Sequence, residues 1–171
     1  MFMRLREYLS VGVVIVFLIV LSETKIKLGV DKFDQLSCAA NLKQIYESLI
    51  ATVDENPSIF RSNPSKPWYR LIDGLKQEDL RCPAKKNFNE NKDSLYSDYA
   101  MNRVIYERLL KQQTFTEGYS RKILILDSDT DPTEFNLFPL TSPVFRHTDG
   151  CNILLLDGSV IWCDKDDFTD N

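Results

Sequence analysis

The stretch Arg146 to Cys163, RHTDGCNILLLDGSVIWC, constrains the fold of this chain more than any other. Two Asp-Gly pairs, Asp149-Gly150 and Asp157-Gly158, bracket the apolar run Ile153 to Leu156, and a second apolar run, Val160 to Trp162, follows. Asp-Gly between β-prone runs predicts hairpins, because glycine accepts the positive φ that a tight turn imposes on one of its residues. The stretch reads as a three-stranded antiparallel meander: Val144 to His147, Asn152 to Leu156, and Ser159 to Cys163.

Residues 1–22 differ from everything after them. Tyr8 to Leu21 holds only Ser10 and Gly12 besides apolar or aromatic residues, and Arg4 and Arg6 precede it. Fourteen residues rise only ~21 Å as a helix, short of a ~30 Å hydrocarbon core unless the flanks snorkel or the helix continues through Ile26 and Leu28. Length alone leaves a single-span anchor, a cleavable signal peptide and a buried helix open. The leading arginines favour a cytoplasmic N-terminus, with residues 23–171 exported as one domain. Four cysteines, Cys38, Cys82, Cys151 and Cys163, suit an exported domain, where disulfides persist. No pair has Cys-x-x-Cys spacing, and one histidine cannot complete a set of two cysteines and two histidines. Disulfides are therefore expected over zinc, a four-cysteine zinc site being the formal alternative. A net charge of -4, with no concentrated basic face, argues against a nucleic-acid partner.

From Ser22 to Glu55 there is no proline and only Gly29. Phe33, Leu36, Ala40, Leu42, Ile45, Tyr46, Leu49, Ile50 and Val53 recur mostly at steps of three and four, which predicts one helix face. Asn56-Pro57 ends the helix. Trp68 to Leu80 is expected to hold a short helix, Met101 to Gln112 a second packed helix, and Ile123 to Leu126 a short buried strand.

A hydrophobic helical half running into an amphipathic half that packs on a small antiparallel sheet is similar to type IV pilins and pseudopilins. His147, nine residues, then Asp157-Gly158, with Arg146 before the histidine and Trp162 in the closing strand, resembles the C-terminal signature of the pseudopilin-like H-X9-DG proteins. CAANLKQI at Cys38 to Ile45, Trp68 with Leu71, Cys82-Pro83, and Tyr99-Ala100-Met101-Asn102 resemble further landmarks of that group in their order. Setting Glu7 on the family's glutamate puts a prepilin-peptidase cut between Phe2 and Met3, where the family's glycine is absent. By resemblance Glu7 would pair with a neighbour's new N-terminal amine in a filament; a solvated residue in a signal-peptide head is the alternative.

His147 near aspartates invites a catalytic reading. In the meander it lies at one end of Asn152 to Leu156 and Asp157 at the other, roughly 16 to 20 Å apart, too far for a hydrogen-bonded dyad. A structural role, bonding backbone groups beside the first turn, is expected of His147. Hairpin geometry also bears on the cysteines. A two-residue loop at Asp157-Gly158 sets Cys151 opposite Asp164; a three-residue loop, Leu156 to Gly158, puts the glycine in the left-handed position of a G1 bulge and Cys151 opposite Cys163. The expected bridges are Cys151 to Cys163 and Cys38 to Cys82. Asp127, Asp129 and Asp131 alternate in DSDTDP, a cluster that suits calcium or a solvated, aspartate-capped turn. The acidic tail after Cys163 is expected to fray. No hydrolase, P-loop or dinucleotide fingerprint is present, so neither an enzyme nor a cofactor other than calcium is expected.

The sequence thus predicts an α+β protein, a long N-terminal helix packed on a C-terminal antiparallel sheet. The resemblance implies a non-enzymatic pseudopilin-like component of a secretion or cell-envelope system. It would be held in the cell membrane through residues 8–21 and meet copies of itself or other pseudopilins. The alternative is a secreted binding module released by cleavage near Ser22.

Overall fold

A computed structural model describes residues 2–85, 97–111, 122–128, 137–138 and 143–168, with the side chains of residues 2–12, 14 and 138 left aside. Helix α1 spans Phe2–Glu55 and ends where Asn56-Pro57 was expected to stop it. Two compact units divide the chain, Met1–Phe33 and Asp34–Asn171. Within the first, Val13 and Ile15 through Leu21 are exposed, followed by Ile26, Leu28, Val30 and Phe33. Among the described residues, no helix is long and apolar enough to cross a membrane.

In the second unit α1 buries a narrow stripe, Cys38, Leu42, Ile45, Leu49 and Thr52. Its steps of four and three follow the helical period. Each fully buried aliphatic side chain contributes about 1.5–3 kcal/mol through loss of contact with water. Leu36, Ala40 and Ile50, expected on this face, are exposed. The apolar residues of α1 cover a wider arc than the sheet can bury.

After α1 come α2 (Ile59–Ser62) and a single 3-10 turn, Trp68–Arg70, in place of the longer helix expected over Trp68 to Leu80. Pro67 at its start and Gly74 at φ 79° leave little room for more. Trp68 and Tyr69 are buried, and the Asp73 N–H donates to Thr52 Oγ1 at 2.9 Å. Strand β1 (Tyr99–Asn102) leads straight into α3 (Arg103–Leu110). Asn102 caps the helix, its side-chain oxygen accepting from the Val104 and Ile105 N–H groups.

Strands β2 (Ile123–Asp127), β3 (Leu137–Phe138), β4 (Gly150–Leu155) and β5 (Val160–Asp164) complete one five-stranded sheet in the order β3-β1-β2-β4-β5. The sheet is antiparallel except for the edge pair β1-β3, which is parallel. The fold is therefore α+β, as expected. Both faces of the sheet are covered. Tyr99, Met101, Ile125 and Leu154 join the main core with the α1 stripe, while Ala100, Leu126, Cys151, Ile153 and Leu155 pack with Phe145 and Phe168 on the other side. In the tail, residues 164–168 pack back on the head, the Phe168 ring meeting Phe145 edge-on at 5.8 Å where fraying was expected, and residues 169–171 lie outside the described residues.

The meander keeps two of its three strands. Val144 to His147 forms no strand; only isolated bridges, Ser128 with Pro143 and His147 with Gly150, mark its pairing. Between them and β4 the positive φ falls on Thr148 (45°) and Asp149 (64°) instead of Gly150. Gly150 is required for a different reason: a Cβ there would lie 2.1 Å from the Trp162 ring. The second turn follows the three-residue alternative. Leu155 N–H donates to Ser159 O at 2.8 Å, Gly158 has φ 82°, and Cys151 pairs in register with Cys163. A Cβ on Gly158 would also strike the Tyr46 ring at 2.4 Å, because this turn docks on α1.

Two strained requirements therefore meet at Gly158. Gly158→Ala is expected to cost about 1–3 kcal/mol in urea unfolding, and part of that loss should return when Tyr46→Ala is added. No recovery in the double variant would mean that backbone conformation alone demands the glycine.

Candidate functional site

The site begins with Cys38 on the buried stripe of α1. One turn on, Asn41 Nδ2 donates to Arg81 O at 2.8 Å and Glu78 O at 3.3 Å, fixing the chain that carries Cys82. The Tyr99 hydroxyl reaches the same Arg81 carbonyl at 3.1 Å and Cys38 Sγ at 3.5 Å. The Cys82 N–H donates to Asp98 Oδ2 at 3.1 Å, and the other oxygen of Asp98 accepts from Lys85 Nζ at 2.7 Å. Asn41, Tyr99 and Asp98 thus bring Cys82 up to Cys38 without any regular secondary structure between residues 71 and 85.

Asp127 arrives from the end of β2 and is fully buried. Arg146 Nη1 donates to its Oδ1, and Arg146 Nη2 donates to Ser128 O at 2.8 Å. His147 is 2% exposed; its Nε2 stands 3.3 Å from Cys82 Sγ and 3.8 Å from Asp127 Oδ2. One ligand atom from each of Cys38, Cys82, Asp127 and His147 lies within 4.8 Å of the other three. Asp127 Oδ2 and His147 Nδ1 have no hydrogen-bond partner among the described residues.

Burial raises the Asp127 carboxyl well above the usual range, with the Cys82 sulphur adding to the shift and Arg146 opposing it. The Cys82 thiol is pushed up to about 12, chiefly by its hydrogen bond with Cys38 and by burial, against the pull of His147. Burial would lower His147, but its contact with Cys82 and the charges of Cys82, Asp127 and Asp34 outweigh it, and the ring is raised. The Cys82 thiol therefore keeps its proton at neutral pH. The groups of the cluster are inside the head, so they serve binding or cross-linking better than turnover of a dissolved substrate.

The expected site residues are thus rearranged. His147 and Asp157 are separate, as strand length implies: Asp157 sits in the turn beyond β4, where its Oδ1 accepts from the N–H and hydroxyl of Ser159. The His147 side chain does not bond backbone groups as expected; it turns inward to Cys82. Of the aspartates considered for calcium, Asp127 is committed to Arg146 inside the head, while Asp129 and Asp131 lie outside the described residues. Glu7 is helical, and its side chain lies outside the described set. All four cysteines are free thiols, so neither expected bridge is formed. Cys38 and Cys82 are nevertheless neighbours, and Cys163, opposite Cys151, turns its Sγ toward Asp164 O at 3.4 Å. Sequence reading did not bring Asp127 and His147 to the Cys38 and Cys82 pair, because those residues come from four separate segments with no shared spacing.

Two outcomes follow. Arg146→Met leaves a buried carboxylate without its cation and should destabilise the protein by about 3–5 kcal/mol in urea unfolding. Burial pushes the Cys151 thiol up to about 12, whereas Cys163 is partly exposed. Iodoacetamide should therefore modify Cys163 first and Cys151 only on unfolding. If both stayed unreactive in urea until a reductant was added, the pair would be bridged.

No protein-family model, no curated protein and no solved structure matches this chain.

Proposed function

We propose that this chain is a non-enzymatic, pilin-like subunit of the cell envelope. The observation that carries the reading is the exposed apolar surface of α1, at Val13, from Ile15 through Leu21, and on through Ile26, Leu28, Val30, Phe33 and Leu36. Apolar surface of that extent in water marks a membrane or protein contact. Residues 8–21 enter the bilayer with Arg4 and Arg6 on the cytoplasmic side, and the outward head is the exported part. The later apolar positions, interspersed with Glu23, Lys25, Lys27, Asp31 and Lys32, suit helix-to-helix contact with a second copy or a related pilin-like chain. The landmarks from Cys38 to Trp162 support the same reading. Their described residues build the head: Asn41 holds the Cys82 segment, Trp68 is core, and Gly158 docks on Tyr46.

A second reading has one observation in its favour. The uncharged run Tyr8 to Leu21 rises only ~21 Å as a helix, and a run that short behind Arg4 and Arg6 also suits a cleaved signal that releases a secreted binding module.

Fractionation combined with mass spectrometry of the intact protein separates the two. The pilin-like reading expects the chain in the membrane fraction, released by detergent but not by salt, and beginning at Met3. A soluble protein beginning near Ser22 would overturn it in favour of the secreted module. An uncut membrane protein would keep the anchor and remove prepilin processing.

A further inference from the structure

We propose that Cys38, Cys82, Asp127 and His147 form a closed, four-coordinate zinc site that fastens α1 to the sheet. The first ground is the donor set. Two sulphurs, an imidazole nitrogen and a carboxylate oxygen suit zinc, which takes thiolate, imidazole and carboxylate ligands tetrahedrally; the sulphurs disfavour calcium and magnesium. The second is geometry. Tetrahedral bonds of the usual zinc lengths set ligand atoms about 3.4–3.8 Å apart. The contacts of His147 Nε2 at 3.3 Å and 3.8 Å lie close to that range, and all four ligand atoms fall within 4.8 Å. Closure onto an ion requires movements of an ångström or less.

The third ground separates zinc from a Cys38 to Cys82 disulfide, the other chemistry open to these sulphurs. A disulfide is neutral and offers Asp127 Oδ2 no donor, and the nearest one left, His147 Nε2, stands 3.8 Å away, beyond hydrogen-bond reach. An unsatisfied buried polar atom costs about 1–3 kcal/mol, more when charged. A cation supplies the missing partner to Asp127 Oδ2 and binds His147 Nε2, leaving the imidazole proton on Nδ1. Charge also balances. The two positive charges of zinc and the one on Arg146 cancel two thiolates and the Asp127 carboxylate. On binding, both thiols, together with any proton held on the Asp127 carboxyl or on His147 Nε2, release their protons to solvent and no electron moves.

All four ligands are buried and none leaves an open coordination position, which assigns the ion a structural role. It would join α1, the Cys82 segment, the end of β2 and the turn before β4. Around it, Asp98 fixes the Cys82 backbone, Tyr99 stands beside the Cys38 sulphur, and Arg146 aims Asp127. Such outer contacts orient ligands.

The test uses the full chain, purified in detergent without chelator or added metal. Elemental analysis with intact mass spectrometry should find one zinc per chain, with Cys38 and Cys82 reduced. Removing the ion with a chelator should lower Tm, and zinc alone should restore it. Cobalt added to the stripped wild-type protein should give thiolate charge-transfer and tetrahedral visible bands. His147→Ala and Cys82→Ser should lose the metal, and Cys163→Ser, outside the cluster, should retain it. Because the ligand variants could misfold, the wild-type arms decide. A Cys38 to Cys82 disulfide in peptide maps, or reduced wild-type protein that takes up neither zinc nor cobalt, overturns the site. Metal that persists in both His147→Ala and Cys82→Ser places it elsewhere and overturns the site too.

Discussion

A carboxylate with no exposure to water, Asp127, sets the terms for the rest of the head. A buried charge is tolerated only where neighbouring groups neutralise and hydrogen-bond it. Arg146 does this at Oδ1 and at the adjoining Ser128 carbonyl. The chain before β4 reaches both while touching the sheet only through isolated bridges: Val144 N–H bonds to Asp127 O, and the backbone turns at Thr148 and Asp149 before β4 begins. The strand that the Asp149-Gly150 turn signal suggested at Val144 to His147 is not formed. The same path sets His147 against Cys82, so neighbouring residues of the signature serve opposite sides of one carboxylate.

The sheet is held to α1 at several points along β4. Near its beginning His147 approaches the Cys38 and Cys82 pair. In its middle Asn152 Nδ2 donates to Gln35 O at 2.7 Å. Past its end Lys43 Nζ donates to Gly158 O at 3.1 Å, Tyr46 OH to Leu156 O at 3.4 Å, and the Tyr46 ring occupies the space that a side chain on Gly158 would need. Lys43 is exposed and lies off the buried stripe of α1, yet its head reaches the turn. Long side chains lie along apolar surface and place their charge several ångströms from their own helical position, so a helical wheel misplaces them.

Legibility followed the range of the cause. The second turn was readable because its chemistry is local: one glycine, three loop residues and a register that then sets Cys151 opposite Cys163. Leu42, Ile45 and Leu49 of the buried stripe were readable for the same reason, since helix period is a property of neighbours. The first turn misled because Gly150 is needed by Trp162 across the strand pair, a contact that no dipeptide rule contains. Phe33 and Leu36 read as core, yet they are exposed. Apolar periodicity gives a face but not what covers it. The four-residue cluster was least legible, because it depends on Asn41, Asp98 and Tyr99 holding a loop whose sequence alone carries no direction.

The spacing of the signature can be understood as strand length plus parity. On β4 Asn152 bonds to α1 and Leu154 joins the main core, while Cys151, Ile153 and Leu155 fill the cluster behind the sheet. Strand residues alternate faces, so one inserted residue would turn the following ones over. Asn152 would lose the Gln35 carbonyl, apolar side chains would exchange cores of different size, and the turn would carry Gly158 away from Tyr46. One residue fewer would do the same in the other direction. His147 and Asp157-Gly158 therefore need no contact to be linked. Each is fixed to the same helix by its own partners, and β4 is the ruler between them.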